Sequence, residues 1–80
     1  MTSAQCRGAR ALLDMTQPEL ARAASLGLST IVDFEKRRRD VSKEAINSIR
    51  RALEAAGIEF IEENGGGAGV RLKKLHKKRS

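Results

Sequence analysis

Apolar residues recur at intervals of three and four positions up to Ala56, and past Gly57 they alternate with polar ones. The first period is that of helices with one buried face and the second that of strands. Thr2 or Ser3 caps a first helix that runs to about Leu13, with Ala9, Leu12, Leu13 and Cys6 as its buried stripe. Gly8 weakens this helix by roughly 1 kcal/mol against alanine. Asp14 and Met15 make a short connection, and Met15 stands ahead of Thr16 as a hydrophobic-staple residue. Thr16 with Glu19 forms a capping box, and Pro18 sits in the first turn, where its missing N–H costs nothing, so a second helix starts at Gln17 and ends near Ala24.

Leu20, Ala21 and Ala24 share one face of that second helix. After the break at Ser25-Leu26-Gly27, Ile31, Phe34 and Leu28 resume helical spacing over about Leu28 to Lys36. Asp40-Val41 reads as a loop and Ser42 as the cap of a fourth helix, Lys43 to Ala56, which Gly57 stops. Ala45, Ile46, Ile49, Ala52, Leu53 and Ala56 form its buried stripe. Beyond it, Ile58, Phe60 and Glu62 alternate with Glu59 and Ile61, and Val70-Arg71-Leu72-Lys73 alternates again after a Gly-rich run, which predicts a β-hairpin. The expected fold is mainly α: a four-helix domain over residues 1–57, a short hairpin over 58–73 and a disordered basic tail over 74–80. The hairpin is marginal by itself, so it must pack on helix four or pair with the same strand of a second subunit.

Two short amphipathic helices with a three-residue break, Gln17 to Lys36, form a helix-turn-helix pattern. Gln17, Ala21, Ser25, Ile31, Phe34 and Glu35 fall at the spacing of the Cro and phage-repressor, or Xre-like, family, which the stretch resembles. Ser25 departs from it, standing where that family usually has glycine, so a left-handed backbone there falls to a non-glycine residue. The resemblance implies an ion pair between Arg10 and Glu35, partly buried and serving orientation more than stability. It also implies that Leu28, Ser29 and Asp33 touch bases and that Gln17 holds a phosphate. The ending, IEFIEENGGG leading to GVRL, resembles a subset of short bacterial Xre-like proteins, whose typical members have proline where Ala68 stands here.

Charge changes this picture less than its total suggests. The net charge is +6, but residues 1–63 hold ten Lys and Arg against ten Asp and Glu, and all of the excess lies beyond them. A nucleic-acid reading therefore rests on the local cluster Lys36-Arg37-Arg38-Arg39, directly after the recognition helix, with Lys43 close enough to reach a phosphate. Cations at a helix C-terminus also complement its dipole, but four in succession exceed what capping needs. Of the recognition-helix residues not used in packing, Leu28, Ser29, Thr30, Val32 and Asp33, few suit base readout. Leu28 offers an apolar contact to a thymine methyl, and Asp33 accepts from cytosine but repels phosphate.

Other chemistries find little support. The single cysteine, Cys6, has no partner for a disulfide or zinc site, and His76 has no other ligand types nearby, so no metal or cofactor is expected. The run Gly65-Gly66-Gly67 is followed by neither a Lys-Ser/Thr pair nor a helix, which argues for a turn and against a phosphate loop. No nucleophile with a nearby base and no paired carboxylates point to an enzyme. With neither a membrane-length apolar run nor a signal-peptide core, a cytoplasmic protein is expected. Two function classes remain. One is a dimeric, sequence-specific regulator of double-stranded DNA, repressor-like; the other is a protein-interaction module on the same scaffold, antitoxin-like or an adaptor.

Overall fold

The computed structural model describes residues 1–73, so the expected basic tail, 74–80, lies outside the described residues. Four helices, α1 (Ser3–Leu13), α2 (Gln17–Ala24), α3 (Leu28–Lys36) and α4 (Lys43–Ala55), precede a hairpin of β1 (Ile58–Ile61) and β2 (Gly69–Leu72). Side chains start three of the helices. The Thr2 hydroxyl accepts from the Gln5 N–H while Gln5 Oε1 accepts from Thr2, so the cap of α1 is Thr2 rather than Ser3. Thr16 and Glu19 close the same reciprocal box on α2, and the Ser42 hydroxyl accepts from Ala45 on α4. Only α3, which follows Gly27, starts without a side-chain cap.

Helices α1, α2 and α3 end alike, each in a left-handed residue that is not glycine: Asp14 (φ 53°), Ser25 (φ 58°) and Arg37 (φ 57°). The next N–H in each case reaches back to a carbonyl of the last turn, Met15 to Arg10, Leu26 to Ala21 and Arg38 to Asp33, all at 2.9 Å. This is the Schellman arrangement, which satisfies carbonyls a helix end otherwise leaves open. It is bought here without the residue that adopts the conformation freely.

The core gathers Cys6 and Ala9 of α1, Leu20, Ala21 and Ala24 of α2, Ile31 of α3, Ile49 and Leu53 of α4, and Ile58 of β1. Ile58 is fully buried, so the hairpin belongs to this core. The strands pair antiparallel within one chain, Ile58 opposite Leu72 and Phe60 opposite Val70, with Glu59 opposite Arg71. Gln5 of α1 donates to the carbonyls of Gly69 (2.9 Å) and Ile61 (3.4 Å), tying the far end of the hairpin to the helix. Gly8 faces β2, where a Cβ would stand 3.4 Å from Val70 Cγ2, at the near edge of ordinary van der Waals contact. On the α4 side, the Arg50 guanidinium lies 4.9 Å from the Phe60 ring centroid and bonds Glu54. Gly57, at φ +111°, makes the turn from helix to strand.

Two expectations are corrected. Leu12 is 43% exposed: the inner stripe of α1 runs through Gln5, Cys6, Ala9 and Leu13, which leaves Leu12 at its edge. Ala56 is exposed too, because α4 stops at Ala55 and Ala56 is already its closing residue. Among the described residues no helix is long and apolar enough to cross a membrane.

A left-handed residue other than glycine carries a steric cost of about 1–2 kcal/mol. Ser25→Gly is therefore expected to stabilise the fold by roughly 1 kcal/mol, which in a domain of this size raises the melting midpoint by about 4–8 °C. Thermal melting followed by circular dichroism measures it, and an unchanged or lower midpoint would show that Ser25 holds its backbone without strain.

Candidate nucleic-acid interface

Leu20, Ala21 and Ala24 of α2 and Ile31 of α3 are buried in the shared core. Alanine at 21 and 24 adds little bulk where α2 turns inward. The opposite side of α3 faces solvent. Leu28 is 45% exposed, Ser29 and Lys36 are exposed, and Thr30, Val32 and Asp33 are half-buried.

What fixes α3 is its own last turn. Glu35 has a side chain only 2% exposed, and a carboxylate at that end of a helix also opposes the helix dipole. Four donors answer it. Arg10 Nε donates to Oε2 and Arg10 Nη2 to Oε1, both at 2.7 Å, so the expected Arg10–Glu35 pair is a two-pronged one. Gln17 Nε2 donates to Oε1 at 3.0 Å and the Cys6 thiol to Oε2 at 3.1 Å. Burial by itself would push the Glu35 carboxyl up, but the bonds from Arg10, Cys6 and Gln17 outweigh it and hold the group below its ordinary value. The Cys6 thiol, buried beside that carboxylate, is pushed far up and stays protonated.

The backbone of the same turn is clamped by α1 as well. Arg7 Nη1 donates to the Glu35 carbonyl and the Ser3 hydroxyl to the Phe34 carbonyl, each at 2.6 Å. Arg10 Nη1 also donates to the Met15 carbonyl at 3.0 Å. Residues of α1 and α2 thus converge on one turn of α3, and Arg10 ties the α1–α2 connection to the same cluster. Sequence reading missed Ser3, Cys6 and Arg7 in this cluster. The one available signal was the placement of Gln5 and Cys6, able to hydrogen-bond, inside an otherwise apolar stripe.

The remaining site residues fall into two groups. Gln17, expected at a phosphate, has its amide N–H directed to Glu35. Asp33, expected to face a base, has its carboxylate Oδ2 2.8 Å from Arg39 Nε. By contrast, Lys36, Arg37, Arg38 and Lys43 are exposed and have no ion-pair partner among the described residues. Arg37, Arg38 and Arg39 line a surface groove with Ser3, Phe34 and Val41, between the start of α1 and the α3–α4 loop. Among the described residues no three His, Cys, Asp or Glu side chains converge as a metal set would.

Arg10→Ala leaves a buried carboxylate with only two weaker donors and is expected to cost about 3–5 kcal/mol. The whole stability of an 80-residue domain is about 4–12 kcal/mol. Urea unfolding should find this variant at the edge of folding. Because the folded pKa of Glu35 lies below its ordinary 4.5, its contribution is complete above that pH and drains away as pH falls through the folded value. Unfolding midpoints measured down an acid series are expected to drop across that range, and flat midpoints would mean the cluster contributes nothing. Compared with protein-family models and with curated proteins, the chain matches none.

Proposed function

We propose that this protein is a DNA-binding transcriptional regulator of the Cro and phage-repressor, or Xre-like, type, with α3 in the major groove of double-stranded DNA. The observation that carries the reading is an exposed helix anchored from behind and followed by cations with no ion-pair partner among the described residues. Glu35 anchors the last turn of α3 to α1 and α2, and Lys36, Arg37 and Arg38 stand exposed just past it. A helix that must enter a groove needs a fixed orientation, and unpaired cations beside it supply backbone contacts that set its register.

In this mechanism, Lys36, Arg37, Arg38 and Lys43 bind phosphates flanking the groove, and Leu28, Ser29 and Thr30 meet base edges at the leading end of α3. Two copies act as a dimer on half-sites about one helical turn apart, blocking access to the DNA between them as a cytoplasmic repressor does. The chemistry is binding, not catalysis. A protein-interaction module of antitoxin or adaptor kind is the second reading, and the observation favouring it is Leu28, a large apolar side chain 45% exposed on the presented face of α3 with Val32 half-buried one turn on.

The test is selection of bound sequences from random duplexes at ~150 mM salt, where weak electrostatic binding has largely faded. An enriched palindrome supports the regulator; no binding moves the weight to the interaction module. Arg38→Ala is expected to weaken binding to all duplexes alike and to flatten the dependence of affinity on salt by about one unit of slope. No change in either quantity would remove Arg38 from the interface.

A further inference from the structure

We infer that Arg39 reads a guanine and that Asp33 is the positioning residue that aims it; this rests on the DNA-binding reading above. Of the three arginines 37–39, only Arg39 has an acidic partner among the described residues, its Nε 2.8 Å from Asp33 Oδ2. Its remaining contact, Nη1 to the Asp40 carbonyl, is long at 3.5 Å. With Nε engaged, the two terminal nitrogens form the free end of the fork. That end is the part of a guanidinium that matches the O6 and N7 acceptors of guanine.

Placement agrees with this assignment. Asp33 lies four residues after Ser29 and so on the same side of α3 as that exposed residue. The bond to Asp33 draws Arg39 out of the loop and back onto the presented side of the helix. It also resolves an electrostatic conflict, because a bare carboxylate on a groove-facing helix would repel phosphates, whereas one paired with arginine does not. Arg39 remains 53% exposed while Asp33 is 20% exposed, so the acid is the fixed member and the guanidinium is the one presented. Arg37 and Arg38 have no such acid among the described residues, which suits the looser geometry of phosphate contact.

Lysine separates the two roles, since a point charge serves a phosphate but cannot form the fork. Bound sequences selected from random duplexes would be compared for the wild-type chain, Arg39→Lys and Asp33→Asn, with melting curves confirming that each folds. Wild type is expected to enrich guanine at one position of each half-site. Arg39→Lys should keep the affinity for random DNA and its salt dependence yet lose that preference by roughly 10- to 100-fold, the discrimination of one bidentate contact. Asp33→Asn should lose the same preference while binding random DNA as well as or better than wild type.

A motif unchanged in Arg39→Lys would overturn the assignment, leaving Arg39 a phosphate contact. So would an Asp33→Asn variant that keeps the guanine preference, or wild-type binding without any enriched motif. A wild-type chain that binds no DNA would overturn the regulator reading itself and this inference with it.

Discussion

A carboxylate buried in the last turn of a helix is unfavourable twice over, through lost hydration and through the negative end of the helix dipole. Glu35 is held there by two bonds from Arg10 and one each from Gln17 and Cys6. The donors stand on α1 and α2 and the acceptor on α3, so the cluster ties the arrangement of all three helices together. An apolar residue at 35 would bury as well but would tolerate sliding and rotation of α3. The charged cluster adds direction to the packing, the use to which buried polar groups are best suited. The carbonyls of Phe34 and Glu35, bonded from Ser3 and Arg7, lock the same turn in the axial sense.

The hairpin extends this logic to the other side of α1. A domain this small buries little apolar surface, and each fully buried large side chain is a sizeable share of its core. Ile58 is one of the six largest. The Gln5 side chain serves the start of α1 twice, its carbonyl oxygen closing the helix cap at Thr2 and its amide nitrogen bonding Gly69 and Ile61. Loss of the hairpin would therefore expose Ile58 and also loosen the start of the helix that carries Cys6, Arg7 and Arg10. The division between helical domain and hairpin drawn from the sequence describes a change of period, while physically the two are one unit.

How much was legible follows from where the signals are local. Thr16, Glu19 and Pro18 specify the start of α2 by themselves, and Ser42 that of α4, because a cap involves residues three apart. The left-handed Ser25 was legible through the resemblance, since it stands where that family usually has glycine. Arg37, in the same conformation, was not, since nothing in a run of basic residues marks the one that turns. Leu12 was misplaced because two adjacent leucines both fit the stripe of α1, and only Leu13 packs against the core. Within the candidate site, the Arg10–Glu35 pair came from resemblance, while the bonds from Gln17, Cys6 and Arg39 depend on side-chain geometry across 6 to 29 positions.

Charge distribution sets the character of any binding by this chain. Residues 1–63 carry equal numbers of acidic and basic side chains, and ion pairs engage Arg10, Arg39 and Arg50 of that basic set. Of the basic residues in 1–63 without an ion pair among the described residues, Lys36, Arg37, Arg38 and Lys43 cluster around the α3–α4 loop while Arg7, Arg22 and Arg51 stand elsewhere, so this part of the chain offers a polyanion one local basic patch. The leading turn of α3 offers only Leu28, Ser29 and Thr30, which hold no strong hydrogen-bonding fork. Under the proposed function, direct discrimination must then come from outside that turn, from an arginine brought onto the helix or from the ease with which a given duplex deforms to meet the basic loop. The Asp33–Arg39 pair favours the first source, because a surface ion pair contributes little to stability and its geometry matters chiefly for what the guanidinium can then reach.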